Sequence, residues 1–326
     1  MTRKDRQLAL VIGATGGIGG AVAERLVAEG WWVRAMNRNP ETARLGCEAF
    51  EWVKGDAMVE AEVVVASEGA SLIVHGANPP AYKNWAGLQM PMIRATIAAA
   101  KASGARIVFP GTVYNYGPDA FPSIDEACAQ TPVTRKGAIR VQMEQALREA
   151  SAQGVKVLIV RAGDFFGPKP GANWLSQGLV KPGKPVSAIS YPGPLAVPHC
   201  WGYLPDVAET MVTLAMRGDL ADFEMFHMRG QTLTGEELAA ALSQAAGRKL
   251  AVSRLPWIAI KAMAPFNETM REMLEIRYLW DRPVLLDNRK LVARLGEEPR
   301  TPIVDALRAA LAGMDALPRP ALKRAA

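Results

Sequence analysis

Continuous apolar runs of strand length alternate with longer segments of helical period through the first two-thirds of the chain. The runs are LALVIGA (8–14), WVRAMNR (32–38), FEWVKGDA (50–57), SLIVHGA (71–77), RIVFPGT (106–112) and VKVLIVRAG (155–163). Helices are predicted between them at 17–29, 86–103 and 134–153. Each is followed by a glycine (Gly30, Gly104, Gly154) of the kind that ends a helix in the left-handed conformation. Strands alternating with helices predict βαβ units and a parallel sheet. Runs that are apolar throughout, and not only at every second residue, fit a sheet covered on both faces. The expected fold class is α/β: a doubly wound parallel sheet with a smaller, mainly helical C-terminal lobe.

The pattern breaks after residue 167, where a Pro- and Gly-dense stretch reads as an excursion from the sheet. A helix at 205–217 and a strand at 223–230 return to it, and Thr234 and Glu237 are spaced as a capping box for a following helix. Residues 1–170 and 197–230 are accordingly assigned to the sheet domain, and 171–196 and 231–326 to the smaller lobe. The Met- and Trp-rich segment 257–280 has helical spacing and reads as lobe core or a dimer face.

Charge changes this picture less than its total suggests. Of the net +6, residues 1–6 contribute +2 and residues 319–326 contribute +3, so the body is nearly neutral. A nucleic-acid footprint needs a basic face on the folded part, and none is expected. Cys47, Cys128 and Cys200 are scattered and form no C-x-x-C pair, which points to a reducing cytoplasm. Three histidines without ligand spacing make no metal site. No apolar run reaches the ~20 residues that span a bilayer, and the N-terminus reads as the first strand and not as a signal peptide.

The chemistry starts at VIGATGGIGG, where Gly13, Gly16 and Gly19 stand between a strand and a helix. That spacing lets the backbone turn tightly and approach a pyrophosphate at the positive helix N-terminus, so a bound dinucleotide is expected. An acidic residue at the end of the second strand would accept from the adenosine ribose and repel a 2′-phosphate. The sequence has Asn37 and Arg38 there instead, and Arg38 suits a phosphate. NADP is expected over NAD, with NAD still open.

With these motifs in place the chain resembles the short-chain dehydrogenase/reductase superfamily, in its extended and atypical epimerase/dehydratase branch. GATGGIGG is similar to the family's glycine loop, GD (55–56) to its third-strand end, and FPGTVYNYGP (109–118) to its fifth-strand motif. RAGDFFGP (161–168), YLPDVAE (203–209) and LLDNRKLVARLGEEPRTP (285–302) continue the match in order. The resemblance implies that Thr15, Gly16, Gly17, Ile18 and Gly19 hold the cofactor with Gly13. It also implies that Asp56 and Ala57 lie near adenine, Ala77 and Asn78 at the inner ribose, and Ala162, Gly163 and Phe165 on the nicotinamide side. A homodimer through the helices flanking the sheet edge, including 134–153, is a further implication.

The family's Tyr-x-x-x-Lys relay is altered. Aligned through Glu144, Lys136 takes the tyrosine position, Arg140 the lysine position, and Thr112 the hydroxyl position. Arg140 offers several fixed donors for ribose hydroxyls but releases no proton near neutral pH. Lys136 has three open readings: general acid or base, ligand anchor, or solvated side chain. Tyr114 and Tyr116 offer alternative phenols, Tyr116 reading more naturally as packing in its turn. His199 and Trp201 fall where the family's substrate pocket lies, His75 reads as a strand-end histidine, and 78–85 is a Pro-stiffened side of the pocket. The function expected is an NAD(P)-dependent oxidoreductase or epimerase/dehydratase acting on a hydroxyl or carbonyl of a small polar, sugar-type molecule. The alternative is a dinucleotide-binding sensor or scaffold that has lost the chemistry.

Overall fold

The computed structural model describes residues 6–79, 84–169, 171 and 173–318. The first half runs β1 (Leu8–Ile12), α1 (Gly17–Ala28), β2 (Trp32–Asn37), α2 (Pro40–Arg44), β3 (Glu51–Lys54), α3 (Glu60–Ala66) and β4 (Ala70–His75). It continues through α4 (Trp85–Ser103), β5 (Arg106–Gly111), β6 (Ser123–Ile124), α5 (Arg135–Ser151), β7 (Val157–Arg161) and β8 (Asp164–Phe166). The second half comprises β9 (Ala188–Tyr191), β10 (His199–Tyr203), α6 (Leu204–Ala215), β11 (Phe223–His227), β12 (Gln231–Leu233), α7 (Gly235–Ala246) and β13 (Ala251–Arg254). It ends with α8 (Trp257–Met263), α9 (Glu268–Glu275), α10 (Tyr278–Asp281), β14 (Leu285–Leu286), α11 (Arg289–Leu295) and α12 (Ile303–Gly313).

Seven of these strands form one parallel sheet in the order β11-β7-β5-β4-β1-β2-β3. The order reverses between β1 and β4, which opens a crevice at the carboxyl ends of the strands. Alternate side chains of β1 leave to opposite faces. Ala9 and Val11 pack with α1 and α6, whereas Leu10 and Ile12 pack with α3, α4 and α5. That two-sided burial is why the strands are apolar throughout.

A third core fills the lobe and joins α7, α10 and α12 to the small strands β9 and β10. The Thr234–Glu237 capping box forms at the start of α7. The strand β10 pairs with β8 and β12 in a separate three-stranded sheet, so residues 199–203 stand outside the main sheet. No described helix is long and apolar enough to cross a membrane. The predicted basic ends 1–5 and 319–326, and residues 80–83 of the Pro-stiffened loop, lie outside the described residues.

Candidate active site

Register brings the glycine loop to the crevice. Ile12 pairs with Met36 on one side and His75 on the other, so Gly13, Asn37 and Gly76 emerge side by side. Gly13 has φ +90°, and a Cβ there would lie 2.6 Å from the Gly76 carbonyl carbon. A Cβ on Gly19 would lie 2.3 Å from the Gly13 carbonyl oxygen. Only glycine lets loop, helix and neighbouring strand close this tightly, and the result is a backbone cradle at the N-terminus of α1.

The cradle is one end of a cavity of about 570 Å³. Thr15, Gly16, Gly17 and Ile18 line it with Gly13, while Gly19 sits beneath as the packing glycine. Asn37, Arg38, Asp56 and Ala57 form its wall at the ends of β2 and β3, and Ala77 and Asn78 follow β4. Asn78 is fixed by Gln89, whose Nε2 donates to Asn78 Oδ1 at 2.7 Å. At the far end Thr112, Tyr114, Arg140, Ala162, Gly163 and Phe165 converge. Among the described residues no cluster of His, Cys, Asp or Glu is arranged to hold a metal.

Thr112 is held by a closed hydrogen-bond circuit that sequence reading did not anticipate. Its hydroxyl donates to Asn115 Oδ1 at 3.3 Å, Asn115 Nδ2 to Gln130 Oε1 at 3.0 Å, and Gln130 Nε2 to Glu144 Oε2 at 2.7 Å. Arg161 Nη2 donates to the same Glu144 oxygen at 2.7 Å, and Arg161 Nη1 returns to the Thr112 carbonyl. Arg161 is fully buried and also donates through Nε to His227 Nε2 at 3.1 Å. Burial, with Arg161 adding its positive charge, lowers His227 to about 3, so the imidazole is neutral and free to accept.

The altered relay separates in space. The Arg140 guanidinium lies 5.4 Å from the ring centres of both Trp85 and Phe109 and faces the cavity. Lys136, one turn earlier, is not brought to the cavity. It is 1% exposed, and its ammonium binds the Glu272 carboxylate, the Glu272 carbonyl at 2.9 Å and Glu275 at 3.6 Å. The reason is local: α9 presents Glu268, Glu272 and Glu275 to the N-terminal turns of α4 and α5. A Lys136→Met protein should keep its affinity for a nicotinamide dinucleotide within about twofold, while the α9 amides exchange at least ~10-fold faster with solvent. Native-state hydrogen exchange is the measurement.

His199 and Trp201 also differ from the sequence expectation. Both point into the lobe core and stay off the described cavity wall. His199 stacks on Trp280 with ring centres 3.8 Å apart, and Trp201 packs against the same ring at 5.8 Å. What reaches the cavity there is Asp164, whose Oδ2 accepts from His199 Nε2 at 2.7 Å. Tyr116 is fully buried under Arg161, which lies 5.0 Å over its ring. His75 lines the cavity but carries no proton to spare. Thr96 donates its hydroxyl to the Met92 carbonyl at 3.1 Å and accepts from His75 Nδ1 at 2.7 Å. Burial, helped by Arg140, lowers His75 to about 3.

A glycine cradle at a switch point, with a hydroxyl and a cation at the far end, is matched by a family model. Residues 9–222 fit the NAD dependent epimerase/dehydratase family. The chain belongs to that family. Membership makes it an NAD(P)-dependent enzyme of the epimerase/dehydratase type on a Rossmann fold.

Solved structures agree on the fold. UDP-glucose 4-epimerase from Bifidobacterium longum, in complex with NAD+ and UDP, superposes with TM-score 0.71 at 16% identity, over 95% of this chain and 98% of that one. UDP-glucuronic acid 4-epimerase from Bacillus cereus gives 0.71 at 14% identity, over 95% and 99%. A nucleoside-diphosphate-sugar epimerase from Pseudomonas aeruginosa gives 0.69 at 17%, over 95% and 97%. A comparison with curated proteins gave no match.

Proposed function

We propose that this protein is an NADP(H)-preferring oxidoreductase or epimerase/dehydratase that acts on a hydroxyl or carbonyl of a small polar, sugar-type molecule. The observation that carries the reading is that Thr112, Tyr114 and Arg140 share one wall of the cavity that begins at the glycine cradle. The residues fit a dinucleotide, because glycine at 13 and 19, where a Cβ would strike the backbone of Gly76 and Gly13, lets loop, helix and neighbouring strand close into a backbone cradle at the N-terminus of α1. When bound, the nicotinamide supplies hydride chemistry. Arg140 donates to ribose hydroxyls, Thr112 orients the substrate oxygen, and Tyr114 holds or releases the proton that a phenol can exchange. Asp164, fixed by His199, accepts from substrate hydroxyls. The UDP-sugar epimerases among the structural neighbours support a sugar-type substrate. The same reading takes the protein as a cytoplasmic homodimer meeting through α4 and α5, which pack side by side.

Locking of Lys136 against Glu272 and Glu275 favours one other reading, a dinucleotide sensor that keeps the cofactor without turnover. Two measurements decide. Calorimetry should give micromolar NADPH binding and weaker NADH binding, and Arg38→Ala should lower NADPH affinity about 10-fold while sparing NADH. Equal, unchanged affinities would remove the NADP preference. NADPH oxidation by a panel of aldehydes, ketones and keto-sugars then separates enzyme from sensor.

A further inference from the structure

A second cavity, of about 500 Å³, opens on the other side of the glycine loop and shares Thr15, Gly16 and Asn37 with the first. Asn39 and Thr42 form its outer wall, Trp52 lies in its floor, and Lys169 reaches in from the loop that follows β8. Its polar lining consists of hydroxyls, amides and one ammonium over a floor of Ala14, Ala43, Cys47, Phe50 and Trp52, with no carboxylate among the described lining residues. Asn37 Oδ1 accepts from the Asn39 backbone N–H at 2.8 Å, which turns the Asn37 amide nitrogen away as a donor. Arg38 follows immediately on the wall of the first cavity. Donors and cations therefore surround the end of β2, where the adenosine ribose of a dinucleotide comes to lie.

Lys169 is 55% exposed, and its ammonium pairs with Glu24 of α1, itself 47% exposed. Exposed pairs of this kind hold weakly and exchange readily. A phosphate monoester carries close to two negative charges and three acceptor oxygens, so it competes well with a single carboxylate. We propose that Lys169 is the second cation of a 2′-phosphate site for NADP(H), with Glu24 as its partner while that site is empty. This rests on the NADP reading and extends it. The loop that carries Lys169 continues to Gly171, Asn173 and Trp174 on the wall of the first cavity.

The test is calorimetric titration of the whole protein with NADPH and with NADH, on wild type, Lys169→Ala and Glu24→Gln. Both substitutions are at exposed side chains. Lys169→Ala should weaken NADPH about 5- to 30-fold and leave NADH within twofold. Glu24→Gln should do the opposite, tightening NADPH about 2- to 5-fold with NADH unchanged. Equal losses for both nucleotides in Lys169→Ala would place the lysine on the shared pyrophosphate and overturn the proposal. A wild-type preference for NADPH that is undiminished in Lys169→Ala would overturn it while leaving the NADP reading intact. A wild type that binds both nucleotides equally removes the NADP reading and this site together, and is seen before any variant is made.

Discussion

Replacing Arg161 by methionine is expected to destabilise the protein by about 3–5 kcal/mol, among the largest losses a single substitution produces. The guanidinium is fully buried and serves Glu144, the Thr112 carbonyl and His227. Methionine fills much of the volume but donates nothing. Glu144, only 4% exposed at its side chain, would keep a buried negative charge with the Gln130 amide still donating to it. The Thr112 carbonyl and His227 Nε2 would lose their donor as well, each at the cost of an unmade buried hydrogen bond. Urea unfolding followed by fluorescence is the measurement. If the cost is that of an uncompensated charge, the double variant Arg161→Met, Glu144→Leu should recover at least half of it. A loss below ~1 kcal/mol in the single variant would show that water or relaxation already compensates the pair.

This network marks the boundary of what the sequence reveals. Sheet and cradle are legible because each is encoded locally. Five residues of apolar run make β1, Gly13 and Gly19 stand where backbone approach forbids a Cβ, and Gly16 stands where it leaves little room for one. The predicted strand 8–14 runs past the observed Leu8–Ile12, because Gly13 and Ala14 carry no polar side chain to mark where the chain leaves the sheet. The Thr112 circuit joins residues 112, 115, 130, 144 and 161, which no window of sequence contains. Lys136 illustrates a second limit. Alignment fixes its position on α5, but the ammonium goes to the nearest carboxylates, and those come from α9, far along the chain. For His199 and Trp201 the signal was present but faint. HCWGY is buried at every position, as an apolar strand should be, and residues 199 and 201 share the face that meets Trp280.

The same separation of Lys136 from the cavity sharpens the prediction on proton transfer. A proton carrier must stand within hydrogen-bond reach of the substrate oxygen. Lys136 is clasped to α9, Arg140 cannot release a proton near neutral pH, and the His75 Nδ1 proton is committed to Thr96. Asp164 already accepts from His199. Tyr114 lies on the cavity wall two residues after Thr112, in the short helical turn Val113–Asn115. Tyr114→Phe keeps the ring and removes the one group at issue. In single-turnover oxidation of bound NADPH by whichever carbonyl compound the wild type reduces, the variant is expected to slow 10²- to 10⁴-fold, a range typical of losing a general acid. NADPH affinity should stay within about twofold, because Tyr114 is assigned no part in holding the cofactor. A slowing of less than ~10-fold would move the proton to Asp164, and Asp164→Asn would then carry the large effect that Tyr114→Phe lacked. A fall in NADPH affinity to match the fall in rate would instead give Tyr114 a binding role, and the proton would have to come from the substrate or from water.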